Sequence, residues 1–270
     1  MHDQGDADDS KLTRTKLRFA EEQRFLTGHK SSPDEERLPP GQSWVKGFPV
    51  LDLGIKPEIS PVEWELKIFG AVAEPVTVTW ADLMHSLPQT EVVVDIHCVT
   101  TWSHLDCSWE GVLTRDILSL VVPDPAARFV LMHSADGYST NLAIEDFLAE
   151  DCLIAHTMKG MPLELDHGAP ARLVVPHLYF WKSAKWVTGI EILVEDEPGY
   201  WEQRNYHNRG NPWAEERYGS PIKAPWILPT SPATEDLMLD LFSMPAPEAI
   251  EERPGIITRM LSFLGLAKDR

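Results

Sequence analysis

The chain has few cysteines, few cations and no long apolar run, and each shortage excludes a class of protein. Its 270 residues include three cysteines, Cys98, Cys107 and Cys152, and neither a CxxC pair nor a CxxCH haem motif. These numbers exclude a disulfide framework and a CxxC zinc site. No uncharged apolar run approaches the roughly 20 residues that span a bilayer, so we expect no integral membrane segment.

Basic residues are outnumbered throughout the chain. Lys and Arg total 24 against 42 Asp and Glu, which gives a net charge of −18 and a pI near 4.9. Because such a chain repels polyanions, we expect no nucleic-acid partner. The first ten residues are acidic, whereas a signal peptide has a basic head and an apolar run. Together with the cysteine usage, this predicts a cytoplasmic protein.

Composition divides the chain into three parts. Residues 1–40 form a charged arm and linker, 41–220 carry the apolar patterning of a folded domain, and 221–270 form a Pro-rich tail. Apolar residues after Pro254-Gly255 recur at helical spacing, which predicts an amphipathic helix at the C-terminus.

Strand and helix patterns alternate irregularly within 41–220. Period-2 or continuous apolar patterns predict strands at 64–69, 76–80, 91–96, 128–133, 172–175 and 186–194. Helical patterns, one with Thr79 as a possible N-cap, cover 79–87, 111–122 and 144–148. Without regular βαβ spacing, and with no GxGxxG or P-loop motif, the pattern favours a mixed α+β domain over a Rossmann unit.

A basic island interrupts this acidic domain. Residues 41–220 hold 26 acidic and 12 basic residues, yet no carboxylate occurs between Asp166 and Glu191. Arg172, Lys182 and Lys185 lie in that gap among apolar residues, and burying unpaired cations costs free energy. A bound phosphate or other anion would neutralise them. The alternative is that carboxylates from distant parts of the chain pair with them.

Cys98 is the second candidate group. It follows an apolar strand, so its sulfur can project into a cleft, where a thiolate serves as a nucleophile or a soft metal ligand. Adjacent side chains on an extended backbone face opposite ways, which disfavours His97 as the base of a thiol hydrolase. A zinc- or thiol-dependent hydrolase would also leave the basic island unexplained. One ligand with a soft metal at one end and a phosphate at the other explains both groups.

Four segments, in order, resemble the sulfite-oxidase-fold molybdopterin oxidoreductases, above all the short prokaryotic members without a haem domain. They are HCVTTWSHLDCSWEGV, SADGYSTNL, DHGAPARLVVPHLYFWKSAKWVTGIEI and GYWEQRNYHNRGNPWAEERY. The resemblance runs from about Gly47 to Tyr218. It implies that 41–220 is a molybdopterin-binding oxidoreductase domain with the mixed α+β fold of sulfite oxidase.

The resemblance also implies a site. Cys98 matches the cysteine that ligates molybdenum, with a single molybdopterin as the other part of the cofactor. Tyr138 aligns with the active-site tyrosine of sulfite oxidases, a proton donor, and Ser134 with a hydroxyl that touches the cofactor. The alternative for Tyr138 is packing at a strand end. Five residues match positions that hold the pterin and its phosphate: His167, Arg172, Lys182, Ser183 and Lys185.

The implied activity is oxygen-atom transfer to or from a small-molecule substrate, with an unidentified electron-transfer partner. A sulfoxide or N-oxide reductase of the same fold is the enzymatic alternative. In that branch an asparagine-rich loop contacts the pterin, whereas this chain has FPVLDLG at 48–54. A binding module without catalysis is the other alternative, which the retention of Cys98, Arg172, Lys182 and Lys185 disfavours.

Overall fold

Strands dominate residues 35–219, the part of the chain that the computed structural model describes. One sheet contains β1 (Ser43–Trp44), β4 (Thr90–His97), β5 (Trp102–Leu113), β8 (Leu153–Met158), β9 (Met161–Pro162) and β10 (Arg172–Val174). The other contains β2 (Glu65–Gly70), β3 (Val76–Thr79), β6 (Phe129–Ser134), β7 (Ser139–Ala143) and β11 (Val187–Leu193).

The helices of this part are short. They are α1 (Trp80–His85), α2 (Thr114–Leu118) and α3 (Ile144–Phe147), with 3-10 turns at Glu35–Arg37, Leu165–His167, Phe180–Lys182 and Glu202–Arg204. None of the helices between residues 35 and 219 combines the length and apolarity needed to span a bilayer. Mixed sheets with few helices confirm the predicted α+β class.

Both sheets mix strand directions. In the first, β5 pairs parallel with β1 and antiparallel with β4 and β8, and β8 continues to β10. The second has the order β3-β2-β11-β6-β7, with β11 parallel to β2. Because β11 joins β2 and β6, strands distant in sequence become neighbours. A shared apolar core includes Trp64, Trp109 and Ile190.

The six predicted strands are confirmed, with shifts of one or two residues at their ends. The first predicted helix is confirmed together with its cap. The Thr79 hydroxyl accepts from the Asp82 amide at 3.2 Å, and the Asp82 carboxylate accepts from the Thr79 amide at 3.0 Å. Such a capping box satisfies two backbone donors that the first helical turn leaves unpaired.

The helix predicted at 111–122 is correct only in its middle. Residues 111–113 end β5, and the helix itself covers Thr114–Leu118. Sequence reasoning missed β5 because its pattern is interrupted. Its residues are buried on both faces along most of its length, so alternation is weak. The shorter strands β7 and β8 were also missed.

Two predicted segments lie outside the described residues. They are most of the arm at 1–40 and the tail at 221–270 with its C-terminal helix. The three-part division therefore stays a prediction.

Gly111 allows β5 and β8 to approach closely, which generates a first prediction. A Cβ built there lies 2.1 Å from the Ile154 carbonyl oxygen, a contact that only backbone movement relieves. We expect Gly111→Ala to lower the free energy of unfolding by about 3 kcal/mol, measured by urea denaturation. Gly47→Ala is the matched control, because a Cβ there meets nothing within 4 Å. Equal stability of the two variants would contradict the strand packing.

Candidate functional site

A cleft of about 730 Å³, including its open mouth, lies where turns from both sheets meet. Six predicted site residues line it: Cys98, Tyr138, His167, Arg172, Ser183 and Lys185. Cys98 follows β4 in the turn to β5, and Tyr138 precedes β7 in the turn from β6. Arg172 begins β10, His167 precedes that strand, and Ser183 and Lys185 follow it. The fold thus brings together segments up to 87 residues apart.

Arg172 is a buried cation with an unusual set of partners. The residue is 2% exposed, and its guanidinium donates to the backbone carbonyls of His167 at 3.0 Å and Ser183 at 2.8 Å. The ring of Phe180 lies 4.4 Å from the guanidinium carbon. Among residues 35–219 no carboxylate pairs with Arg172. Burial lowers the pKa of this guanidinium to about 9, so its surroundings destabilise the positive charge.

The positive charge of Lys182, unlike that of Arg172, is balanced by an ion pair. Its ammonium lies 2.6 Å from Glu202 Oε1, and both side chains are almost completely buried. It also donates to the Asn141 carbonyl at 2.7 Å and is not among the residues that line the cleft. Lys182 therefore follows the alternative given in the sequence analysis, in which a carboxylate from a distant part of the chain pairs with the cation. Its position gives no support to the prediction that Lys182 contacts the cofactor.

Lys185 remains at the cleft wall. Its ammonium donates to the Asp166 carbonyl at 2.9 Å and lies 4.3 Å from the ring centroid of Trp186. The side chain is half-buried. Of the three predicted cations, Arg172 and Lys185 therefore border the cleft.

Cys98 presents its sulfur next to the Thr100 hydroxyl, at 3.1 Å. Its carbonyl accepts from the Gln42 amide at 3.1 Å and from the Thr101 backbone amide at 3.0 Å, which fixes the turn. The ring of His97 is directed elsewhere, with its Nδ1 2.8 Å from the Ser103 hydroxyl. Burial lowers the pKa of His97 to about 4. A Cys98–His97 hydrolase pair is therefore not formed.

Tyr138 reaches the cleft from the other sheet. Its hydroxyl donates to the Trp181 carbonyl at 2.6 Å. Burial, and then the nearby negative charge of Glu202, raise the pKa of Tyr138 well above its usual value. The hydroxyl therefore keeps its proton at neutral pH. Ser134 lies just before this turn and is not among the cleft-lining residues, although its buried hydroxyl has no hydrogen-bond partner within residues 35–219.

His167 and Ser183 hold the backbone around the guanidinium. Besides the two carbonyls given to Arg172, the Ser183 hydroxyl accepts from the Val175 amide at 2.9 Å. The His167 ring lies edge-on to Phe48, with ring centroids 5.3 Å apart. Burial, and then the positive charge of Arg172, lower the pKa of His167. The imidazole is thus neutral at pH 7.

Sequence reasoning missed one complete wall of the cleft. Residues 48–53, in the segment noted only as a departure from the sulfoxide-reductase branch, line it from Phe48 to Leu53. It also missed three acidic residues in the lining: Asp52, Asp136 and Asp166. Asp136, in the DGYS turn, is the one of these three whose pKa burial raises.

Glu202 is a further residue that the sequence did not single out. Its Oε1 accepts from the Trp181 indole at 2.8 Å and the Thr140 hydroxyl at 3.0 Å, besides the Lys182 ion pair. Trp181 is part of the cleft wall, so this carboxylate supports the wall from behind. Glu202 lies in the quoted segment GYWEQRNYHNRGNPWAEERY, but Glu215 and Glu216 lie there too, and no sequence signal separates the three.

Comparisons with known proteins agree with this geometry. The chain is 43% identical over 190 residues to an uncharacterized oxidoreductase, YuiH, of Bacillus subtilis, covering 70% of this chain and 96% of that protein. It is 28% identical over 158 residues to the protein-methionine-sulfoxide reductase catalytic subunit MsrP of Ralstonia nicotianae. That match covers 53% of this chain and 47% of the relative.

A solved structure has a similar fold, and a protein-family model matches the sequence. The sulfane dehydrogenase SoxCD of Paracoccus pantotrophus superimposes with a TM-score of 0.51 at 20% identity, covering 79% of this chain and 62% of that one. Residues 53–201 match the family described as the oxidoreductase molybdopterin binding domain. The chain therefore belongs to the molybdopterin-binding oxidoreductases, an enzyme family with a molybdenum–molybdopterin cofactor, as the resemblance predicted.

Proposed function

We propose that this enzyme transfers an oxygen atom to or from a small substrate in the cleft, with Cys98 as the protein ligand to molybdenum. The observation that carries this proposal is the pairing of two unlike groups in one cleft. The Cys98 thiol, a soft ligand, lines it, and so does Arg172, a buried cation that has no carboxylate partner among residues 35–219. A cofactor with a metal end and a phosphate end complements both groups.

The donor set fits such a cofactor on other grounds. Aromatic side chains, among them Phe180 and Trp181, form much of the wall and exclude water from the bound pterin. Arg172 and Lys185 would hold its anionic end, and Cys98 the metal. When bound, the molybdenum cofactor supplies the two-electron change and the oxygen-atom transfer.

In this proposal the chain itself orients the substrate and holds a proton on the Tyr138 hydroxyl. The Tyr138 hydroxyl keeps its proton at neutral pH and reaches the cleft beside the Trp181 wall. It is our candidate for the group that donates a hydrogen bond or a proton to the substrate oxygen. To act, the hydroxyl exchanges its bond with the Trp181 carbonyl for one with the substrate.

A sulfoxide or N-oxide reductase is the second candidate, favoured by the acidic lining of the cleft. Asp52, Asp136 and Asp166 all border it, and carboxylates repel anionic substrates more than neutral ones. Lys56 pairs with Asp166 at 2.7 Å and lies 3.8 Å from Asp52, so Asp136 is the carboxylate that would act most strongly on an anionic substrate. The name of the MsrP relative is consistent with this direction of reaction.

Replacing Cys98 tests the proposed function directly. In Cys98→Ser a hydroxyl, a harder donor than the thiolate, stands where the metal ligand is proposed. We expect turnover to fall to background with the pterin still bound. The measurement is an anaerobic assay of molybdenum-loaded protein with an artificial electron carrier and a panel of sulfite, sulfoxides and N-oxides. Cys107→Ser changes a buried core thiol that does not line the cleft; it is the control and should keep full activity.

Replacing Arg172 tests the anion site. Methionine keeps the approximate length of the side chain but removes the charge-assisted contacts. We expect Arg172→Met to fold and to bind the cofactor about tenfold or more weakly, measured as pterin content per chain beside the melting temperature. The exposed Arg128→Met is the matched control. Wild-type pterin content in Arg172→Met would remove this residue from the cofactor site.

Replacing Tyr138 tests the proton donor. Phenylalanine keeps the packing and removes only the hydroxyl, so we expect turnover to fall about 10²-fold in Tyr138→Phe with molybdenum content unchanged. Unaltered kinetics on a confirmed substrate would leave the tyrosine with a packing role. Loss of molybdenum would instead assign it to the cofactor.

A further inference from the structure

Three ligand-type side chains meet outside the cleft, where β8 begins. Asp151 and Cys152 directly precede β8, and His177 follows β10. Cys152 Sγ lies 4.0 Å from His177 Nδ1 and 4.0 Å from Asp151 Oδ1, and these last two atoms are also 4.0 Å apart. None of the three residues lines the cleft. The atoms form a nearly equilateral triangle.

This triangle has the dimensions of a metal site. A point at the centre of an equilateral triangle with 4.0 Å sides lies about 2.3 Å from each corner, the usual length of a Zn–S bond and about 0.2–0.3 Å longer than Zn–N or Zn–O bonds. A tetrahedral ion lies out of the plane of the triangle and needs ligand atoms about 3.3–3.6 Å apart. The Asp151 and His177 side chains, which are about a third exposed, must therefore move inward by roughly 0.5 Å when the ion binds.

His177 is already oriented as a ligand. Its Nε2 lies 3.0 Å from Asp146 Oδ1, and an ionised carboxylate only accepts, so Nε2 carries the hydrogen. The lone pair is then on Nδ1, the nitrogen that faces Cys152 and Asp151. Arg209 also pairs with this carboxylate, with its Nε 3.0 Å from Asp146 Oδ2. A carboxylate behind a metal-binding histidine is the usual arrangement at zinc sites.

We propose that Asp151, Cys152 and His177 bind a zinc ion, separate from the molybdenum cofactor. A thiolate, an imidazole and a carboxylate are the three side-chain ligand types that zinc takes in proteins, and a water molecule completes the tetrahedron. Charge also balances, because Asp151 and the Cys152 thiolate offset the two charges of the ion. The ion joins the start of β8 to the segment between β10 and the cleft wall at Phe180–Lys182.

The same residues do not serve as a thiol catalyst. Cys152, His177 and Asp146 occur in the order of a nucleophile, base and orienting acid. However, Cys152 is completely buried, which does not suit a nucleophile that must reach a substrate carbonyl. The side chains of His177 and Asp151, by contrast, are partly exposed.

Titration of the cofactor-loaded protein with Zn²⁺ by calorimetry, and with Co²⁺ by absorption spectroscopy, tests the proposal. We expect one ion of either metal per chain and a thiolate-to-Co²⁺ charge-transfer band in the near ultraviolet. In Cys152→Ala the band should disappear. In Asp151→Asn and His177→Gln, which change partly exposed side chains, Zn²⁺ affinity should fall about tenfold or more.

Two other thiols supply the controls. Cys107→Ala and Cys98→Ser should keep both the band and the Zn²⁺ affinity, because neither thiol belongs to the triangle. Absence of a thiolate band in the wild-type protein would overturn the proposal, as would a band that survives in Cys152→Ala or is lost in Cys98→Ser. If Cys152→Ala does not fold, Zn²⁺ affinity that is unchanged in both Asp151→Asn and His177→Gln overturns it as well.

Discussion

Arg172 brings a positive charge into the interior of an acidic chain, and the cleft is organised around the cost of that burial. Three main-chain carbonyls, from His167, Leu173 and Ser183, accept from its guanidinium. They solvate the charge without neutralising it. A buried charge of this kind costs free energy. An anion bound there, as we propose for the cofactor's phosphate, would offset part of that cost.

The contrast with Lys182 separates a cation that is ion-paired inside the fold from one that borders the cleft. Lys182 and Arg172 are equally inaccessible, and they are ten residues apart in the same acid-free stretch of sequence. The carboxylate of Glu202 pairs with the lysine behind the cleft wall, whereas the arginine borders the cleft and has no carboxylate partner among residues 35–219. Local charge counting cannot distinguish the two, since the deciding partner of Lys182 is 20 residues away.

The sequence was informative where a pattern is local. Alternation located β2 and β3, a continuous apolar run located β4, and a threonine ahead of the helical pattern located the cap of α1. Pattern reading failed for β5, where burial on both faces removes the alternation, and at 111–113, which end β5 just before α2 begins. In the cleft, motifs indicated Cys98 and Arg172. The wall at residues 48–53 depends on how distant turns pack together, which no local pattern encodes.

The acceptors around Arg172 belong to the main chain, and this has an evolutionary consequence. A substitution can change the side chain at position 167, 173 or 183, but it cannot delete a peptide carbonyl. Substitutions at these positions therefore leave the three carbonyl acceptors of Arg172 in place, provided that the backbone conformation is unchanged. A binding site built in this way tolerates extensive divergence of its surroundings, with selection acting mainly on the arginine and on the path of the chain around it.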